Sequence, residues 1–300
     1  MFRCLGVAAV LAIASCSPQE TAPRGPVLVF PDAEPLKHRH RNYAMTESLD
    51  GMIRVYAEQK GDFTDLVEMR KQPDGAWSEP TLIELPKRAT ITTPRFSWAD
   101  GRLYFSSDAQ FPGRRPKRDM NIWAMALRED GTWGEPEVLP DVINTGAHEE
   151  AATVSADGVM IFSSTHPRGV GGFDLYEARP DPDAPDGWAV TPLPINSKLG
   201  DTHAVVSADG QTLFYYAQIP RELVYGNADL VMSRKVDGEW TAPVNLGPMV
   251  NTDDIDYGPG LSADGETFFF SQKGIMYEVA LDEVMAQLGK RPVEEVPTEG

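Results

Sequence analysis

Short runs of alternating apolar and polar residues recur along the chain. "MIRVYA" after Gly51, "RLYFSS" after Gly101, "VMIFSS" after Gly158, "QTLFYY" after Gly210 and "ETFFFS" after Gly265 are rich in β-branched and aromatic residues, as strands are. Each follows a tight-turn signal: "SLDG" from Ser48, "WADG" from Trp98, and "SADG" from Ser155, Ser207 and Ser262. Asp-Gly supplies the positive-φ residues that a two-residue hairpin demands. The five glycines stand 50, 57, 52 and 55 residues apart, a period long enough for a supersecondary unit.

A second signature follows the first four by some thirty residues: "PDGAWSEP", "EDGTWGEP", "PDGWAVTP" and "VDGEWTAP". They supply Trp77, Trp133, Trp188 and Trp240, then Pro80, Pro136, Pro192 and Pro243. Between the signatures lies a third apolar run, at 65–69, 121–125, 174–178 and 229–233. Each unit therefore reads as four short antiparallel strands, with Asp-Gly turns joining the first to the second and the third to the fourth. Fifty-residue, four-stranded units in series predict an all-β fold, a β-propeller with one unit per blade. The four tryptophans are expected to pack between blades.

The stretch "INTGAHEEAATVSADGVMIFSSTHPRGVGGFDLYEA" (143–178) resembles the WD40-like, TolB-type propeller repeat of bacterial envelope proteins. That pattern joins an Asn-Thr loop, an acidic residue, Ser-x-Asp-Gly, an aromatic Ser-Ser strand and Gly-Gly-x-Asp-Leu-Tyr. The resemblance covers roughly residues 40–280 and is weakest in the first unit, which has Leu49 in its turn and no Asn-Thr loop. It implies protein interaction in the periplasm.

The fifth unit stops early. It offers three strands, around 258–262, 267–272 and 274–280, and then turns acidic and helix-like. An unclosed propeller leaves strand edges open to pairing. The apolar run "GPVLVFP" (25–31) belongs to no repeat and is predicted to supply the missing outer strand, closing five blades by an N-terminal latch. A sixth blade would need a further unit, which the sequence does not contain. Residues 281–290 are predicted to form a short surface helix and 291–300 a flexible tail.

The N-terminus is of another kind. "MFRCLGVAAVLAIASC" has a basic Arg3 and an apolar core from Leu5 to Ala14, too short to span a bilayer. Ile13-Ala14-Ser15-Cys16 resembles the bacterial lipobox. The resemblance implies a signal peptide over 1–15, cleavage before Cys16, and diacylation of its sulfur, with 16–24 as a lipidated tether. Ser17, rather than Asp, is similar to an outer-membrane sorting signal, so the expected location is the envelope, lipid-anchored to the outer membrane and facing the periplasm. The one other cysteine, Cys4, falls in the removable segment, so the mature chain has no disulfide and no cysteine metal site.

Hydrophobic residues at 41% suffice for a sizeable core. Without residues 1–15 the chain carries 26 basic and 45 acidic residues, a formal charge of −19. Such a chain repels phosphate backbones, which argues against nucleic acid as a ligand.

Candidate chemistry sits where loops lead into each innermost strand. Six residues before the Ser of Ser-Ala-Asp-Gly stand Glu149, Asp201 and Asp256, preceded by Asn144-Thr145, Asn196-Ser197 and Asn251-Thr252. One register thus carries three carboxylates in consecutive blades, which strand symmetry would direct to the channel mouth. There they would hold a divalent cation such as calcium, or the hydroxyls of a sugar, with His148 and His203 beside them. Alternatively each carboxylate caps backbone N–H groups of its own loop. Asp65, Asn121, Asp174 and Asp229 share a second register, read as a structural turn bond. Two basic clusters stand out, "KHRHR" (37–41) and Arg114, Arg115, Lys117 and Arg118; the second, in an enlarged loop of blade two, offers a docking patch for an anionic partner or lipid headgroup, or is a solvated loop. "NTDDIDYG" misses the EF-hand spacing, "GVGGFD" precedes no helix, and no Gly-x-Ser-x-Gly or His-Glu-x-x-His is present.

The leading expectation is a monomeric, non-enzymatic envelope lipoprotein, needing no cofactor, whose propeller face binds a protein or glycan. The rival is a carbohydrate-active hydrolase using Glu149, Asp201 and Asp256. Carboxylates bonded to loop backbone favour the first; carboxylates about 5–10 Å apart around an open pocket favour the second.

Overall fold

In the computed structural model, residues 25–30, 40–85, 89–110, 119–184, 186–218, 225–226 and 228–288 are described. The segments expected to be signal peptide, tether and tail, with Cys16 and the Arg114–Arg118 cluster, lie outside them.

A short strand β1 (Val27–Leu28) precedes the first blade, which is β2 (His40–Glu47), β3 (Ile53–Lys60), β4 (Phe63–Arg70) and β5 (Thr81–Leu82). The second blade is β6 (Ile91–Phe96), β7 (Leu103–Ser107), β8 (Asn121–Met125) and β9 (Glu137–Val138). The third is β10 (Glu149–Val154), β11 (Met160–Ser164), β12 (Asp174–Pro180) and β13 (Trp188–Pro192). The fourth is β14 (Asp201–Val206), β15 (Thr212–Ala217), β16 (Asp229–Val236), β17 (Glu239–Trp240) and β18 (Val244–Asn245). The fifth is β19 (Asp256–Leu261), β20 (Thr267–Gln272) and β21 (Ile275–Ala280), with β1 antiparallel on the outer edge of β21. Five antiparallel sheets therefore form a propeller ring, and the N-terminal latch is in the expected place. The helix α1 (Leu281–Met285) is shorter than the predicted 281–290; residues 286–288 follow it as turns, with the Gln287 N–H on the Val284 carbonyl (2.9 Å).

The fourth strand of each unit is less regular than its sequence suggests. In blades one and two only a bridge forms at the tryptophan, Lys71 to Trp77 and Leu127 to Trp133, before a two-residue strand. In blade four the two pieces are β17 and β18. Pro80, Pro136 and Pro243 lie between the pieces, and proline cannot donate to a strand ladder. Blade three places its Pro192 one residue later, and β13 runs unbroken from Trp188 to it.

The core consists of five clusters, one in each seam between adjacent blades. Each tryptophan packs on the seam with the preceding blade, as expected: Trp77 on the seam with blade five, Trp133 with blade one, Trp188 with blade two and Trp240 with blade three. Blade five has no such tryptophan. In the equivalent seam α1 inserts Val284, fully buried, with Leu281 and Met285 alongside. The unfinished repeat is thus completed from both ends of the chain: β1 supplies its strand and α1 its hydrophobic wedge. The Gly25 N–H donates to Glu283 Oε2 (3.1 Å), tying latch to helix.

Closure also requires close approach. A Cβ on Gly260 would stand 2.1 Å from the Met45 carbonyl oxygen, so no other residue fits there. At the same seam Arg54 pairs with Glu47 of its own blade (3.1 Å) and with Glu278 of blade five (3.0 Å), and lies over the rings of Trp77 and Phe269.

Candidate functional site

Glu149, Asp201 and Asp256 open the innermost strands of blades three to five, and all three are buried. Each is bonded to the residue four before it. Thr145 Oγ1 donates to Glu149 Oε1, the Ser197 N–H to Asp201 Oδ2, and both the N–H and hydroxyl of Thr252 to Asp256. Ser164 Oγ gives Glu149 a second donor at 3.0 Å. The Asn of each Asn-Thr loop has its own task. Asn144, Asn196 and Asn251 use both amide atoms on the backbone of Ile122, Leu175 and Leu230, in the third strand of the preceding blade. An asparagine side chain there replaces a strand partner, so the loop fastens one blade to the next.

The second polar register meets the first at these fastenings. Burial is the main cause that raises all three carboxyls, Glu149 to about 7 and Asp256 to about 6. The carboxylates that add to the rise are Asp119 for Glu149, Asp174 for Asp201, and Asp229, then Asp254, for Asp256. The three carboxylates are therefore not gathered on the axis; each occupies a different seam. Among the described residues no three His, Cys, Asp or Glu side chains group closely enough to hold a metal ion.

The axis is lined by the next residue along. Every innermost strand has an irregularity in its register, and one residue in each takes a left-handed conformation: Ala44, Thr93, Ala151, His203 and Gly258. Before these bulges stand Tyr43, Thr92, Glu150, Thr202 and Tyr257. Glu150 Oε1 accepts from Thr202 Oγ1 (2.8 Å) and lies 3.6 Å from His203 Nε2, while Tyr43 and Tyr257 meet edge to face at 5.7 Å. Burial pushes His203 below its ordinary pKa, opposed by Glu150 and assisted by Arg95. His148, also predicted for the mouth, is exposed, and its Nδ1 accepts the Met120 N–H.

No protein-family model matches this sequence, and no curated protein matches it. TolB from Acinetobacter baumannii is 14% identical with a TM-score of 0.46, over 80% of this chain and 54% of its own, so the chain spans about half of that protein. A gluconolactonase from Xanthomonas campestris is 13% identical with a TM-score of 0.47, over 82% of this chain and 87% of its own. An alpha-L-arabinofuranosidase from Lactobacillus brevis is 14% identical with a TM-score of 0.45, over 77% and 82%. The solved structures similar to this chain include TolB and other β-propellers.

Below the mouth the channel is plugged. Arg95 is 1% exposed and donates to the carbonyls of Ala44 (3.1 Å), Pro94 (2.7 Å) and Pro259 (2.7 Å), from blades one, two and five. Burial lowers it to about 9. Beside it Trp98 leaves blade two and donates its indole N–H to the Val206 carbonyl (3.0 Å) of blade four. The void between them, lined from all five blades, is about 10 Å3, room for no more than one water.

Neither plug residue stands out by motif, but both leave a trace in the sequence. Arg95 occupies a register filled elsewhere by Thr46, Thr153, Val205 and Gly260. Trp98 is an extra residue: blade two spaces its Ser97 one further from the Asp-Gly than the other four blades do. The mouth residues Tyr43, Glu150, Thr202 and Tyr257 were not legible, because a one-residue step reverses which face of a strand looks at the axis.

Proposed function

We propose that this chain is a non-enzymatic envelope lipoprotein, lipidated at Cys16 and sorted to the outer membrane, whose propeller mouth binds a protein or glycan partner. The observation that carries the reading is the use of Glu149, Asp201 and Asp256: each is buried and bonded to its own loop. Glycoside hydrolysis needs two carboxyls flanking an exposed bond, whereas the mouth register offers one, Glu150, beside two tyrosines, two threonines and His203. Tyrosines of that kind suit a recognition surface. No described helix is long and apolar enough to cross a membrane, and attachment in this reading is through the lipid.

The test uses the full chain in envelope fractions, with a photo-crosslinking residue at Tyr43 or Tyr257. A discrete cross-linked partner is expected, retained in Glu150→Gln, and Cys16→Ser should move the protein from membrane to soluble periplasm. Turnover of an aryl-glycoside panel, abolished by Glu150→Gln, would establish the hydrolase instead. The reading also makes the fold independent of divalent cations. EDTA should leave the Tm of the 25–300 fragment unchanged; a calcium-dependent rise lost in Asp201→Asn would restore the acidic register as a cation site.

A further inference from the structure

Blade three holds a second cavity, on its outer half and away from the channel, of about 190 Å3. That is smaller than the roughly 300–1,000 Å3 of drug-sized sites. Its walls are Val142, Phe162 and Val190, and its polar lining is Tyr176, His166 and Arg168, with Thr145 and Ser164 at the back. The hydroxyls of those last two already point at Glu149.

Tyr176 is the unexplained group. It is 6% exposed, its ring stacks on Phe162 at 5.7 Å, and its hydroxyl has no hydrogen-bond partner among the described residues. A buried hydroxyl without a partner costs free energy, and most are satisfied. Burial holds the phenol above its ordinary pKa, so it keeps its proton and acts as a donor. His166 lies edge-on to the ring, and its Nδ1 accepts the Arg168 N–H (3.2 Å). A neutral His166 therefore carries its proton on Nε2, as a further donor. Arg168 is exposed at the rim. No carboxylate lines this cavity, although Asp174 and Glu149 lie close enough to act on the Tyr176 phenol, opposed by Arg168.

We propose that the cavity binds a small organic carboxylate, whose oxygens take the Tyr176 hydroxyl and the Arg168 guanidinium while its apolar body lies between Phe162 and Val190. A planar carboxylate matches the fork of an arginine, and the walls accept a short hydrocarbon or single ring. The site is separate from the mouth and does not depend on the partner-binding reading.

Calorimetric titration of the 25–300 fragment with benzoate tests it, with benzylamine as the same body bearing the opposite charge. Saturable benzoate binding is expected, with none for benzylamine. Tyr176→Phe keeps the ring and removes only the hydroxyl, and Arg168→Gln changes an exposed side chain. Each should weaken binding about tenfold, the loss of one charge-assisted hydrogen bond. Absence of benzoate binding at millimolar concentration, equal binding of benzylamine, or unchanged affinity in either variant would overturn the proposal.

Discussion

Glu149 is a carboxyl that folding makes harder to ionise. Its folded pKa of about 7 stands above its ordinary value of 4.5, chiefly because it is buried. Between those two values the folded protein binds more protons than the unfolded one, so stability falls as pH rises. Above about pH 7 the full cost is present, on the order of 3 kcal/mol at 1.36 kcal/mol per unit. Asp256, raised to about 6, adds in the same direction. The fragment should therefore melt at higher temperature near pH 5 than near pH 8. Glu149→Gln keeps an acceptor for Thr145 and Ser164 and removes the charge; its melting temperature should vary less between those pH values and exceed wild type at pH 8. An unchanged pH profile would mean that Glu149 is ionised in the fold without cost. Arg95 is the opposite case, a cation kept in the interior by carbonyl oxygens alone.

At the scale of elements the repeat works as a fastening system. The Asn-Thr loop does two jobs within six residues: Asn251 clasps the backbone of Leu230 in blade four, and Thr252 caps Asp256 at the head of β19. Asn251→Ala would leave the buried Leu230 N–H without an acceptor, while the Leu230 C=O keeps the Leu246 N–H (3.2 Å); one unsatisfied buried group costs about 1–3 kcal/mol. A fall in the urea midpoint equivalent to about 1–3 kcal/mol is expected, with the denaturant slope unchanged. Asn42, in one of the two blades without an Asn-Thr loop, serves as the comparison: its Oδ1 has no partner among the described residues, so Asn42→Ala should cost less. Equal losses would show that the clasp contributes nothing of its own. The same scale explains the outer strands, which break wherever proline follows tryptophan by three residues.

For the whole molecule, closure is the decisive event. Five seams each hold a cluster, and the last forms only when the chain ends meet. β1 covers the edge of β21, and Val29 continues that contact with a bond to Met276 (3.1 Å). Removing residues 25–30 exposes an unpaired strand edge and takes Val29 and Phe30 off the seam between blades five and one. Compared with the 25–300 fragment, the fragment from residue 31 should melt several degrees lower and associate on light scattering. A monodisperse fragment of equal Tm would mean that the seam holds without the latch.

The sequence by itself determined the blade count, the hairpin turns, the tryptophan seams and the latch. These rest on local chemistry: Asp-Gly sets a turn, alternation sets a strand, and an orphan apolar run beside an incomplete unit has one place to go. What only the tertiary structure decided is where side chains of adjacent positions point once the blades face each other. Glu149, Asp201 and Asp256 share a register, as read, but the bulge and the strand pleat turn them into three seams and leave Glu150, Thr202 and Tyr257 on the channel. Asp174 and Asp229, members of one structural register in the sequence, come close to Asp201 and Asp256 only because blade follows blade in space. Arg95 and Trp98 are single departures from the repeat, and each has a partner across the ring from blade two, Pro259 and Val206. Periodicity reports what the units have in common; function and closure here depend on what one unit does to another through space.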